Sequence, residues 1–237
     1  MKRAQIKKLV SFNIVNIRDH ARDKHKKVDD RPYGGGPGMI LKMEPIYNAL
    51  RALDATRKIK NQKSKIKIKE RIILLSAKGK LFTQNEAKRL SKYDRIILIC
   101  GRYEGVDERV AKYLADEELS IGPYVLTGGE LPAMVILDAV SRIVPGVLGK
   151  AESLKEESYE SLSVALAGSN KKLETRNLSR EAGSTFGGKL ETTREYPQYT
   201  RPEIFSPKKG LYWRVPKVLL CGNHKKIKEW RHEQRKR

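Results

Sequence analysis

Ile121-Gly-Pro-Tyr-Val-Leu-Thr-Gly-Gly-Glu-Leu-Pro132 is the stretch on which the reading of the fold turns. It sets glycines, prolines and two hydroxyls between a short apolar run and an apolar helix. Glycine permits positive φ and close approach of backbone to a ligand. Such a loop presents main-chain N–H and C=O groups to a flat, polar small molecule. Further toward the N-terminus lie two more loops of this kind, Cys100-Gly-Arg-Tyr-Glu-Gly-Val-Asp107 and Asp29-Asp-Arg-Pro-Tyr-Gly-Gly-Gly-Pro-Gly-Met39. Packing alone does not require them, so three on one apolar scaffold predict a binding site.

The scaffold is legible in two apolar runs, Arg71-Ile-Ile-Leu-Leu-Ser76 and Arg95-Ile-Ile-Leu-Ile-Cys100. Short continuous runs rich in Ile and Leu are typical of strands buried on both faces of a parallel sheet. Between them Thr83, with Glu86 three residues on, predicts a capped helix with a capping box. The unit therefore reads as β-α-β, and the class as α/β. Glu44-Pro45 opens another helix, with Ile46, Leu50 and Leu53 on one face. Asp107 caps one running through Val110 and Leu114. The segment 130–144 is apolar around most of its circumference, as in a buried or interfacial helix, and Pro145-Gly146 stops it. Residues 160–195 lose all periodicity and read as a flexible linker. The tail 225–237 is a basic helix with Ile227 and Trp230 on one side. The domain reading is 1–159, linker 160–195 and a smaller unit 196–237.

The 237-residue chain is 39% hydrophobic and carries a net charge of +22. That charge implies a polyanionic partner, nucleic acid first, although a generally lysine-rich surface would give the same number. Cys100 and Cys221 belong to no CxxC motif and read as reduced, buried, small apolar residues. The four histidines form no tight ligand cluster. The N-terminus lacks the apolar core of a signal peptide, and no apolar run approaches the ~20 residues that span a bilayer. The expected location is cytoplasmic. Loops after strands of an open α/β sheet converge where such folds bind ligands. None of these loops is a dinucleotide-binding GxGxxG or a P-loop.

Six motifs in order point to a family. They are Arg31-Pro-Tyr-Gly-Gly-Gly-Pro-Gly-Met39, Cys100-Gly-Arg-Tyr-Glu-Gly105, Ser120 through Pro132, Pro145-Gly-Val-Leu-Gly149, Tyr199-Thr-Arg-Pro202 and Val218-Leu-Leu-Cys-Gly-Asn-His224. Over residues 19–230 the chain closely resembles the bacterial tRNA (guanine-N1)-methyltransferases that act at position 37, next to the anticodon. These belong to the SPOUT methyltransferases. The resemblance implies a parallel sheet with helices on both faces, a deep trefoil knot and a small helical C-terminal domain that helps hold tRNA. It also implies S-adenosylmethionine as methyl donor, a requirement for Mg2+, and a homodimer with active sites at the subunit interface.

Carried over motif by motif, the donor pocket involves Leu75 at the end of the first apolar run and Gly101 and Glu104 on the loop after the second. The third loop contributes Ile121, Gly122, Pro123, Tyr124, Val125 and Leu126, followed by Gly128 and Gly129. Backbone amides of 121–126 would hold the adenine, and Glu104 suits a cationic ligand. It also reads as a surface carboxylate paired with Arg102 or Arg109. Guanine N1 is a poor nucleophile while protonated, so a carboxylate must remove its proton as the methyl group transfers. An arginine stabilises the charge that develops at O6. The family's arginine matches Arg142. Its aspartate falls on Glu157, with Glu156 adjacent. Glutamate keeps the carboxylate but adds a methylene. Arg31, Tyr33, Gly34, Gly35 and Gly36 would approach the target guanine, and the basic tail would contact phosphates.

The resemblance also has departures. The family's first strand is expected to be missing, and the C-terminal domain to stop early. The linker is longer than the family's. Two other readings follow: a non-catalytic RNA-binding SPOUT protein, and a SPOUT relative that methylates a different RNA.

Overall fold

The computed structural model describes residues 2–55, 68–147 and 195–236. Its centre is β3 (Glu70–Leu81), where Ile72, Ile73, Leu74 and Leu75 are all buried. Successive side chains of a strand point to opposite faces. Ile72 and Leu74 therefore enter one core, and Ile73 and Leu75 another. β3 is flanked by β4 (Arg95–Cys100) and β5 (Glu117–Ser120) in the order β4-β3-β5, both parallel to it. The apolar runs thus form a parallel sheet flanked by helices on both faces, as their composition predicts.

On one face, the helix Met43–Ala52 buries Ile46 and Leu50, and the helix Glu108–Tyr113 buries Val110. On the other, the helix Gln84–Leu90 buries Ala87 and Leu90, and the helix Glu130–Ile143 buries Ala133, Ile136 and Val140. Thr83 occupies the N-cap of Gln84–Leu90, but its side chain makes no capping bond. Glu86 accepts hydrogen bonds from Lys80 and Arg89 instead, so the expected capping box does not form. Arg89 also reaches Glu117, tying this helix to the edge of the sheet.

β3 pairs with β5 through Leu75, then again from Lys80, and both of these residues sit opposite Leu119. Residues 76–79 therefore bulge out of the pairing opposite Leu119. A short antiparallel pair, β1 (Asp29–Asp30) and β2 (Ile40–Leu41), closes the glycine loop between them. Val106 bridges to Leu41 in parallel, so the 101–107 loop is laced to the base of that loop.

After residue 195 the chain returns to the first core. β6 (Ile204–Lys208) and β7 (Leu211–Arg214) form a hairpin around Gly210, whose φ is 84°. Trp213 is buried against Tyr47, Phe205 and Tyr113 in an aromatic cluster with centroid separations from 4.7 to 6.2 Å. The helix His224–Lys236 buries Ile227, with Trp230 alongside, as the tail's pattern predicts.

The return is fixed by a buried ion pair. Asp107, fully buried, caps the helix Glu108–Tyr113 by accepting from Arg109 N at 3.0 Å. The Arg109 side chain is 1% exposed and donates to both Asp107 oxygens, at 2.8 and 2.7 Å. Its remaining donors reach Thr200 O at 2.7 Å and Pro202 O at 2.8 Å. Thr200 N donates back to Asp107 Oδ2 at 2.8 Å. Removing one partner leaves the other charge buried and uncompensated. Asp107→Ala is therefore expected to lower the urea unfolding free energy by about 3–5 kcal/mol. A loss within the range of surface substitutions would show that the pair does not hold the two segments together.

Candidate functional site

β4 and β5 flank β3, and the loops that leave them, 101–107 and 121–129, meet beyond the sheet. Arg102 pairs with Gly128 in an antiparallel bridge, and Gly129 N donates to Gly101 O at 2.8 Å. This contact requires glycine. A Cβ on Gly129 would lie 2.7 Å from Cys100 Cα and 2.9 Å from Gly101 N, far inside normal contact. The two loops and the 76–79 bulge enclose a cleft of about 560 Å³ at the carboxyl ends of the strands.

Ten of the eleven residues assigned to the donor pocket line this cleft. Pro123 sits in the same loop but not on the wall. Tyr124, Val125 and Leu126 are exposed, with Tyr124 Oη donating to Ile121 O at 3.2 Å. Glu104 lies at the tip of the first loop, where Tyr103 adopts φ 60°. Its N–H donates to Met39 O at 3.1 Å, which places it against the glycine loop 31–39. Arg102 pairs with Glu130, and Arg109 with Asp107, so neither of the cations considered for Glu104 is committed to it.

The cleft also holds charged groups that the sequence did not single out. Lys78, on the bulge, donates to Glu108 at 2.6 Å and stands 3.9 Å from Glu118. Glu118 Oε2 is buried and accepts no hydrogen bond from any described residue. Burial pushes the Glu118 carboxyl above its usual range, against the pull of Lys78 and a hydrogen bond from Ser76, and Glu108 raises it further. Four carboxylates, Glu104, Glu108, Glu118 and Glu195, line this cleft beside three cations, Lys78, Arg102 and Arg235, a balance far from the +22 of the whole chain that leaves room for a cationic ligand. Tyr196, Gln198 and Arg235 line the cleft from beyond the linker. No local pattern marks them, because their place depends on the long return of the chain.

Arg31 is exposed, and Tyr33 N donates to Tyr199 O at 2.8 Å. Gly34, Gly35 and Gly36 all have positive φ, which only glycine adopts readily. Gly34 packs beneath Leu219 and Ile227, and Arg231 Nη2 donates to Gly35 O at 2.6 Å. This loop lies beside the C-terminal helix rather than on the cleft wall. Arg142 is exposed in the last turn of Glu130–Ile143 and does not line the cleft. Glu157 and Glu156 lie outside the described residues, as does the linker except for Glu195.

Cys100 is half-buried beneath the cleft, and burial pushes its thiol pKa up to about 11. It is therefore a poor nucleophile at neutral pH. Cys221 is exposed, contrary to the expectation that both cysteines are buried, because it follows the 3-10 turn Lys217–Leu219 at the surface. Among the described residues no helix is long and apolar enough to cross a membrane.

The family model described as tRNA (Guanine-1)-methyltransferase TrmD matches residues 1–184 and 175–237. The tRNA (guanine-N(1)-)-methyltransferase of Clostridioides difficile is 43% identical over 234 residues, covering 99% of this chain and 83% of that protein. The protein of the same name from Dictyoglomus turgidum is 47% identical, covering 99% and 76%. That from Macrococcus caseolyticus is 45% identical, covering 99% and 78%.

Two outcomes test this geometry. Gly129→Ala must part the two loops and is expected to abolish binding of S-adenosylhomocysteine while the protein stays folded by circular dichroism. Unchanged affinity would place the ligand elsewhere. Glu118 has a raised folded pKa, so its contribution to stability is full below the unfolded value of 4.5 and is lost as pH rises through the folded one. Glu118→Gln should therefore raise the melting temperature at neutral pH, with the gain vanishing toward pH 4.5. A pH-independent change would remove the burial argument.

Proposed function

The chain belongs to the tRNA (guanine-1)-methyltransferase family, and on that premise we propose how its cleft carries out the reaction. The enzyme transfers a methyl group from S-adenosylmethionine to N1 of guanine in tRNA. The target, in this reading, is guanine 37, next to the anticodon. The observation that carries the proposal is the meeting of the 101–107 and 121–129 loops at the strand ends, with carboxylates on the wall. Backbone groups of 121–126 face the adenine, and Glu104, Glu108 and Glu118 favour a cationic donor over its neutral product. The donor supplies an electrophilic methyl group on sulfur.

Glu157 takes the proton from guanine N1. The N1–C bond forms as the S–C bond breaks, its electron pair going to sulfur, and S-adenosylhomocysteine leaves. Arg142 stabilises the negative charge at O6. On its own helix Arg142 stands ten residues beyond Pro132, or about 15 Å at 1.5 Å per residue, so it does not serve the cleft at which that helix begins. The same helix exposes Leu131, Met134 and Val135, at 58%, 63% and 48%. Both facts support a homodimer in which Arg142 completes the partner's site. Arg31, Tyr33 and the three glycines approach the guanine, and the basic helix His224–Lys236 contacts phosphates.

A trefoil knot, the division into 1–159, 160–195 and 196–237, and a cytoplasmic location belong to the same proposal. So does the family's use of Mg2+. Among the described residues no group of His, Cys, Asp or Glu is arranged to hold a metal ion, so no step is routed through one.

Methyl transfer from labelled S-adenosylmethionine to tRNA transcripts carrying guanine or adenine at position 37 tests the reading. Label on N1 of guanine in the first transcript alone is expected. Label elsewhere, or none, contradicts it. Glu157→Gln should slow single-turnover transfer by about 100-fold or more without weakening donor binding, the usual scale of general-base loss. A retained rate would remove Glu157 from the role.

A further inference from the structure

We propose that Gln198 is a positioning residue, and that the strap 196–202 couples the methyl-donor loop to the glycine loop that faces RNA. This rests on the reading of the cleft given above.

Gln198 grips both the donor loop and the first residue of the helix that follows it. Its carbonyl accepts from Glu108 N at 2.9 Å, and its side-chain Nε2 donates to Glu104 O at 3.1 Å. The Glu104 peptide unit follows Tyr103, a non-glycine residue at φ 60°. Such a conformation persists only when its surroundings over-determine it. Here the surroundings are Met39 O, which receives Glu104 N–H, and Gln198, which holds Glu104 O. Gln198 thereby sets where the Glu104 carboxylate stands on the cleft wall.

The other end of the strap grips the glycine loop. Tyr199 O accepts from Tyr33 N, and Thr200 Oγ1 donates to Arg31 O at 2.8 Å. Arg201 Nη1 reaches Asp30 Oδ1 at 2.9 Å, and its guanidinium lies 5.6 Å from the centroid of the Tyr33 ring. Thr200 itself is fully buried and is also pinned through both its N–H and its C=O to the Asp107–Arg109 pair. A strap hydrogen-bonded at each of the consecutive residues 198–201 moves as one piece. RNA that steadies residues 31–36 steadies Glu104 as well, and the donor does the converse, since coupling between two ligands is reciprocal.

The test is the affinity for S-adenosylhomocysteine, measured by calorimetry with and without a saturating tRNA anticodon stem-loop. Wild-type protein should bind the probe roughly three- to tenfold more tightly with RNA present, the scale of one hydrogen bond. Gln198→Met keeps the side-chain length but has no donor. Its coupling should fall to within about twofold of unity, whatever the change in affinity for the probe alone, with melting temperature little changed. Thr200→Val cuts the strap at the glycine-loop end and should lose the same coupling. The double variant should lose no more than either single one, because both act through one element.

A merely structural role would lower the melting temperature and leave the ratio of affinities intact. Coupling retained in Gln198→Met, absent in wild type, or lost in two additive steps would overturn the proposal. Gln198→Met decides the matter even if Thr200→Val fails to fold. Wild-type protein that binds neither probe would instead overturn the reading of the cleft, and this inference with it.

Discussion

The Asp107–Arg109 pair is the interaction on which the rest of the structure depends. Burying two charges is costly unless each is paired and every remaining polar atom is satisfied. Arg109 meets that condition by donating to Asp107 and to the carbonyls of Thr200 and Pro202. The requirement fixes geometry as well as energy. The residues around Thr200 have to return to one place on the helix Glu108–Tyr113, and that helix begins in the loop that forms the cleft. The same pair therefore sets the cap, the return of the chain and the position of one cleft wall.

The cleft itself follows from two plain constraints. Parallel strands end together, so the loops after β4 and β5 must share the space beyond the sheet. Gly129 lets them close to backbone contact there. Charge then separates this space from the rest of the molecule. A surface with a net charge of +22 draws in RNA at long range but gives no reason for a particular small molecule to bind. On the cleft wall Glu104, Glu108, Glu118 and Glu195 offset Lys78, Arg102 and Arg235, so the cleft lacks the basic excess of the chain as a whole.

Much of this could be read from the residues, and the exceptions have physical causes. Continuous Ile and Leu runs gave β3, buried on both faces over Ile72–Leu75, and β4, which is only half-buried along most of its length. Asp107 was readable as a cap, since capping is local. Its pairing with Arg109 across to Thr200 was not, because it spans more than ninety residues. The Thr83 capping box failed for a related reason: Lys80 and Arg89 bracket Glu86 in space and take its oxygens. The apolar helix Glu130–Ile143 was seen, and its exposed Leu131, Met134 and Val135 show why it is apolar on more than its buried side. Tyr199-Thr-Arg-Pro202 was recognised as a motif, but its part in the strap appears only once Arg31 and Glu104 are seen on either side of it.

Amide hydrogen exchange with and without S-adenosylhomocysteine is the most direct test of the central claim, that the loops at the strand ends and the returning strap form a single site. The account predicts slowed exchange in peptides covering 101–105 and 121–129 and, with them, in the peptide covering 196–202. Protection confined to another surface, with these segments unchanged, would contradict it.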